Sequence, residues 1–267
     1  MEAKLERAED DGSNDALNEE EGSKLQSLRA AIERKSPLAK VLSVFLFGDN
    51  STLEVIQEVD DFTLLRFLRA RELDVEKASA MLLNYLKWRK SMFPNGAISE
   101  LQIPNEISQN KIFMQGVDKM NRPIVVTFAS RHKPYKGSLE EHKRFVAFSL
   151  ERISQRASNK DGKFCAIADV SNWRYSNSDI RGYLASLSIL QDCYPERLGK
   201  MFMVHVPYLF MAAWKLVYPF IDPKTKKKII FVEDKNLLRT LLDHIDEDQL
   251  PQAYGGKLAL VPIHHAT

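Results

Sequence analysis

The sequence predicts an α/β protein: a small N-terminal helical module followed by a largely parallel sheet flanked by helices. Three observations carry this prediction. From residue 23 to about 95, apolar residues recur at helical spacing and no strand pattern intervenes. Beyond Pro123, strand-like and helix-like segments alternate at the spacing of βαβ units. The segment Phe164-Cys165-Ala166-Ile167-Ala168-Asp169 shows no polar alternation, as expected of a strand buried on both faces.

Each element follows from local chemistry. Leu25, Leu28 and Ile32 mark a first helix. Pro37 reads as an interruption, Leu38 to Phe47 as a second apolar segment, and Gly48-Asp49-Asn50 as a turn. Asp60 or Asp61 caps a helix from Phe62 to Arg71, with Leu64, Leu65 and Leu68 on its buried face. A further helix spans Val75 to Met92 and ends at Pro94-Asn95-Gly96. The turn Lys119–Arg122 feeds a strand from Pro123 to Phe128. An amphipathic helix occupies Ser138 to Ala157, and Ser178 or Asp179 caps another that runs to about Tyr194. Met201–Val206 and Ile229–Val232 read as strands, Phe210–Tyr218 and Leu237–His244 as helices.

Composition bounds the class. With 267 residues, 44% of them hydrophobic, the chain can build a packed soluble core. Residues 1–22 hold nine acids against Lys4 and Arg7, which reads as a disordered acidic tail. Because the net charge is +2, the remainder is basic and mildly suited to anionic ligands or surfaces. Cys165 and Cys193 sit in apolar surroundings and read as reduced and buried. No metal-ligand spacing is present, and neither a metal nor a cofactor is expected. The N-terminus lacks the apolar core of a signal peptide. The apolar run Met201–Trp214 carries His205 and Pro207 and is too short to span a bilayer needing ~20 apolar residues. The expected location is the cytoplasm, peripheral on membranes.

The most informative stretch is 194–256. An apolar helix bracketed by Pro207 and Pro219 stands beside the basic cluster Lys224 to Lys228. Phe210, Met211, Trp214, Leu216 and Val217 put apolar groups around most of that helix, so it is either buried all round or faces a membrane. The pairing suits a ligand with an apolar tail and a charged head.

Five motifs in order resemble the CRAL-TRIO lipid-binding superfamily, in its phosphatidylinositol transfer protein branch. They are Asp60 to Arg71 with Asp74-Val75 and Trp88-Arg89; Gly116-Val117-Asp118 with Asn121-Arg122-Pro123; Tyr194-Pro195-Glu196-Arg197; Asp222-Pro223-Lys224-Thr225; and Leu250-Pro251 through Gly256. The resemblance covers about residues 24–258. It implies a hydrophobic lipid cavity floored by the sheet and closed by a mobile gate helix, here Tyr208–Tyr218 with Phe210, Met211, Trp214 and Val217. It divides the chain into the tail 1–22, an N-terminal module 23–95, a lipid-binding domain 96–260 and a C-terminal tail 261–267. It implies that Arg71, Thr225 and Lys228 contact an inositol phosphate, with Glu196 supporting that site, while of the positions tied to phosphatidylcholine Arg197 remains. Family members that bind phosphatidylcholine carry hydroxyls at the positions matching Val125, Phe164 and Ala166. All three are apolar here, so the second ligand is expected to be more hydrophobic, such as a sterol or isoprenoid-like molecule.

The implied function is non-enzymatic binding and transfer of phosphatidylinositol, or its presentation to a lipid kinase, by a monomer that visits membrane surfaces. An interaction or lipid-sensing module with a vestigial cavity is the alternative. An enzyme is disfavoured: there is no Gly-x-Ser-x-Gly, no Gly-rich phosphate loop and no His-Glu-x-x-His, and the six histidines are scattered. Nucleic-acid binding has no aromatic-basic motif behind it.

Overall fold

The computed structural model describes residues 18–47, 59–135, 137–157 and 161–266, with side chains described outside 35–47. Among the described residues three helices come first: α1 (Glu19–Phe47), α2 (Asp61–Ala70) and α3 (Val75–Met92). Asp60 and Asp74 cap α2 and α3 by accepting from the amides of Thr63 and Lys77. Leu28, Leu64, Phe67, Leu68 and Leu82 meet in their shared core. Two expectations change here. Helix α1 starts at Glu19, inside the stretch read as tail, because Glu21 docks on Arg69, with Nε–Oε1 at 2.7 Å. It also runs through Pro37, although an internal proline is destabilising to a helix. The Gly48–Asn50 turn lies outside the described residues.

The second unit is a five-stranded sheet in the order β1 (Ile112–Val117), β2 (Pro123–Phe128), β3 (Phe164–Asp169), β4 (Leu198–Val204) and β5 (Ile229–Phe231). β1 and β2 form an antiparallel hairpin; the remaining pairs are parallel. Strand β1 is not predicted by the sequence pattern because Gln115 and Gly116 break its apolar run. Gly116 then breaks its register: its φ of +63° suits glycine, and a Cβ there would meet the Gln249 carbonyl oxygen at 2.6 Å. Between the hairpin and α3 lies a one-turn helix, α4 (Pro104–Ser108).

Sequential strand order has a consequence. Right-handed crossovers place successive connecting helices on one face of the sheet. Accordingly α5 (Leu139–Arg156), α6 (Ile180–Ser188) and α7 (Phe210–Val217) cover the face that carries Val125, Phe164, Ala166, Ala168 and Met203. The opposite face carries Ile124, Val126, Cys165, Ile167 and Phe202. It is sealed by Leu241 of α9 (Leu237–Leu242), with Ile245, Leu250 and Tyr254. A short helix, α8 (Pro223–Lys227), leads into β5.

Two further ends differ from expectation. β4 begins at Leu198 and stops before His205, whose φ of +51° leaves the extended region. Residues 261–266 are not a loose tail: Pro262 bridges to Phe113, Ile263 is buried against Met114 and Phe145, and Arg152 donates to the Ala266 carbonyl. Cys165 and Cys193 are both buried, and burial pushes each thiol up to about 12.

Candidate functional site

The chain turns sharply between α6 and β4. After Ser188 the helix widens into a single π turn, Ile189–Cys193, a device that displaces the next residues from a regular helical path. Tyr194 is buried and Pro195 largely so, and Glu196 then adopts φ +56°, a left-handed conformation that costs a glutamate free energy. Its carboxylate has one partner among the described residues: Lys228 Nζ donates to Glu196 Oε2 at 3.1 Å, both side chains being about one-fifth exposed. Strain beside a half-buried ion pair is the kind of arrangement that clusters at functional positions.

Lys228 is placed by α8. Asp222 caps that helix through the Thr225 amide, and the Lys228 amide closes it on the Thr225 carbonyl at 3.0 Å. Thr225 and Lys228 therefore sit on consecutive turns of backbone. Lys224 reaches the other way and donates to the Arg69 carbonyl at 2.8 Å, fastening α8 to the end of α2 two residues before Arg71. Arg71 lies on the wall of a cleft of about 620 Å³ between α3 and the π turn, which Tyr85, Trp88, Ser188, Asp192 and Cys193 also line. Glu196 and Lys228 thus meet, Thr225 stands one turn of backbone before Lys228, and Arg71 lies just past the helix end that Lys224 reaches. Arg197 points to a different place. Its Nη1 donates to the Gly162 carbonyl at 2.7 Å, its guanidinium stands over the Phe62 ring, and its contacts include none with the Glu196–Lys228 pair.

Val125, Phe164 and Ala166 share one sheet face; Val125 and Ala166 are direct partners across β2 and β3, and Ala166 pairs on to Met201. All three are buried together with Phe148, Ile189 and Cys193. Further along the same face, α7 lies closed on the sheet. Phe210 and Ala213 are its buried positions, packed with Val170, Trp173 and Met203. Trp214 meets Phe231 edge-on at 5.3 Å, and Met211 and Val217 are half-buried. The outer side is apolar too: Tyr208 is 94% exposed, and Leu216, Tyr218 and Phe220 are exposed beside Lys215, Lys224 and Lys227. The apolar residues expected around most of this helix are present on both its sides; the fold turns one side to the sheet and the other to solvent.

The fold also assembles a group that spacing did not reveal. Lys111 Nζ lies 2.6 Å from Glu106 Oε2 and 2.7 Å from His132 Nδ1, all three buried; His132 reaches Asp179, and His142 bridges Glu106 and Ser186. Glu106, His132 and His142 place potential metal-ligating atoms within 4.8 Å of one another, but the Lys111 ammonium already takes the cation's position among them. Burial works to raise Glu106, and the His142 hydrogen bond with the Lys111 charge outweighs it, holding the carboxyl down at about 2. Burial, then the Lys111 charge, pushes His132 down to about 4.

Residues 107–256 match the CRAL/TRIO domain and residues 24–84 match the CRAL/TRIO, N-terminal domain. The chain belongs to the CRAL/TRIO family of lipid-binding and transfer proteins. It is 31% identical over 218 residues to the SEC14 cytosolic factor of Eremothecium gossypii, covering 75% of this chain and 70% of that one. It is 28% identical over 256 residues to patellin-5 of Arabidopsis thaliana, covering 90% of this chain and 37% of that one. The crystal structure of Sfh5 superposes with a TM-score of 0.65 at 16% identity, over 94% of this chain and 92% of that one, a likeness of fold alone. Among the described residues, no helix is long and apolar enough to cross a membrane.

Proposed function

We propose that this protein binds phosphatidylinositol without chemically altering it and carries it between membranes or presents it to a lipid kinase. The acyl chains occupy the face of the sheet floored by Val125, Phe164 and Ala166 once α7 swings outward. The headgroup phosphate is held by Arg71, Thr225 and Lys228, with Glu196 fixing Lys228. The second ligand is a lipid more hydrophobic than phosphatidylcholine, because the floor offers no hydroxyl at those three positions. The protein works as a monomer, peripheral on cytoplasmic membrane surfaces, with the outer side of α7 as its point of contact.

The observation that carries this reading is the Glu196–Lys228 pair, held at strained backbone beside Thr225. Magnitudes explain why it matters. A buried CH₂ contributes ~0.8 kcal/mol against water, but that contribution nearly cancels when a chain passes from bilayer to apolar cavity. Headgroup contacts then decide ligand choice, at roughly 1.5–3 kcal/mol for each charged hydrogen bond.

The test is mass spectrometry of lipids extracted from the purified protein after incubation with mixed natural membranes. Enriched phosphatidylinositol without phosphatidylcholine supports both the headgroup site and the apolar floor. Phosphatidylcholine beside it overturns the reading of Val125, Phe164 and Ala166. A folded protein that retains no lipid favours the interaction module.

A further inference from the structure

A second cleft, of about 330 Å³, opens where α2 and α3 meet α5 and the Tyr194–Arg197 segment. Three arginines wall it, and they are not alike. Arg89 is neutralised by a two-pronged contact with Glu151, Nη1–Oε1 at 2.9 Å and Nη2–Oε2 at 3.1 Å. Arg66 and Arg197 touch no carboxylate among the described residues. Arg66, 6% exposed, donates to the neutral Pro195 carbonyl and the Thr63 hydroxyl, each at 3.2 Å. Arg197 donates to the neutral Gly162 carbonyl. Both stand over the same Phe62 ring, at 5.9 and 5.7 Å from its centroid. Each keeps a buried Nε–H with no hydrogen-bond partner among the described residues.

A buried Arg66 and a half-buried Arg197 of like charge, each with a donor left without a partner among the described residues, are costly unless something negative joins them; Asp60, on the same wall of the cleft, offsets part of that charge without an ion pair to either. Burial and then the Arg197 charge push Arg66 down to about 10, and burial depresses Arg197, in both cases against the opposing pull of the Asp60 carboxylate. Local backbone keeps them together. Gly162 has φ +58°, and a Cβ there would meet Phe62 and Arg197 at about 2.5 Å, so only glycine lets the ring and guanidinium close in. The cleft's volume is roughly ten times the ~30 Å³ share of a liquid water. That suits a phosphate group with a few waters and excludes a phospholipid's acyl chains.

We propose that this cleft is an anion site for a phosphate-class oxyanion, seated between Arg66 and Arg197 and fastening the helical module to the sheet domain. A guanidinium offers an oxyanion a planar fork of N–H donors that a lysine cannot match. The site is separate from the Glu196–Lys228 pair and stands whether or not the lipid reading does. Its occupant comes from one of two sources, free phosphate or the phosphate of a lipid headgroup, and the size of the cleft favours the first.

The test is thermal melting and calorimetric titration of the full chain with inorganic phosphate, against chloride at matched ionic strength. The expected result is a melting temperature several degrees higher in phosphate alone. The phosphate affinity should fall roughly ten- to a hundredfold in Arg197→Gln and persist in Lys228→Ala. Where Arg197→Gln does not fold, Arg197→Lys, which keeps the charge and loses the fork, is expected to bind phosphate more weakly than the parent. Equal melting in both salts with no titratable phosphate binding overturns the site and leaves a water-filled cleft. Loss of the phosphate effect in Lys228→Ala alone overturns it too, by moving the anion to α8. Phosphate retained after loading with phosphatidylinositol vesicles supports the free anion; its displacement by the lipid assigns the same two arginines to a headgroup.

Discussion

The two faces of the sheet are built from similar residues and held in different ways. One face, with Ile124, Cys165, Ile167 and Phe202, is covered by Leu241, Ile245, Leu250 and Tyr254, and most of these are wholly inaccessible to solvent. The helix above it turns Arg239 and Asp243 to water. The other face, with Ala168 and Met203, is covered by α7, whose outer side presents Leu216, Tyr218 and Phe220. For the first cover the alternative to staying put is water, and the cost of lifting it is the full transfer of its apolar area. For α7 a bilayer would solvate either side equally well, so lifting it at a membrane costs far less. If α7 is the gate proposed above, what separates it from core is what the outward side of the covering helix prefers, not how apolar the inward side is.

Truncation should expose that asymmetry first in stability. Phe202→Ala, on the sealed face, is expected to cost about 3–5 kcal/mol by leaving a cavity with no route to collapse, measured by denaturant or thermal unfolding. Phe210→Ala, on the inner side of α7, should cost about 1–3 kcal/mol. Equal losses at the two positions would mean that α7 is ordinary core.

Acid should act on the same face through the buried group under α5. Ordinary histidine titrates near 6.5, and His132 is held down at about 4, so between those values the unfolded chain takes a proton that the folded one refuses. Glu106, held at about 2 against an ordinary 4.5, adds a second loss at lower pH. Stability contributed by both is complete at neutral pH and falls as pH drops. Melting temperature should therefore decline from about pH 7 to about pH 5, and His132→Asn should flatten that decline. A profile as steep in the variant as in the parent would assign the acid sensitivity elsewhere.

At the Glu196–Lys228 pair, proposed above to serve the headgroup, the effect should leave stability and enter function. Glu196→Ala and Lys228→Ala each remove half of an ion pair that is only partly buried, so melting should change little, since such pairs contribute ~0–1 kcal/mol. Transfer of phosphatidylinositol between vesicles is expected to drop at least roughly tenfold, the value of a lost charged hydrogen bond. Glu196→Gly sharpens the point. It relieves the left-handed backbone while deleting the carboxylate, so stability should hold or rise while transfer falls.

Legibility in the sequence divides along chemical lines. The helix Val75–Met92 is readable to the residue because its cap, Asp74, and its apolar spacing are local signals. Asp222 caps α8, yet in the sequence Asp222-Pro223-Lys224-Thr225 reads only as a motif beside a lysine cluster and not as the start of a helix. The strand Ile112–Val117 is not readable either, because an edge strand interrupted by Gln115 and a glycine bulge has no clean period. Glu196 and Lys228 are 32 residues apart, and only resemblance joins them before the fold does. Glu106, Lys111, His132 and His142 likewise look scattered in the chain and are contiguous in space. Arg66 gives no local signal because it lies within an otherwise apolar helix face, and its neighbour Arg197 comes from 131 residues later. The buried end at Ile263 is masked by His264 and His265, which give it a polar look.

The finest discrimination between the two faces comes from a residue that touches neither. Leu216 is 59% exposed on the outer side of α7. Leu216→Asp should alter stability by no more than about 0.5 kcal/mol, as surface substitutions do. Its effect on vesicle binding should be plain, because a carboxylate placed among Tyr218 and Phe220 must either desolvate or hold that side off the bilayer. Leu238, exposed on the helix that covers the sealed face, provides the matched control: Leu238→Asp should leave vesicle binding as it was. If the two substitutions weaken binding equally, adsorption is a general property of the surface and α7 has no special claim to it. If only Leu216→Asp does, the side that meets the membrane is the side that opens.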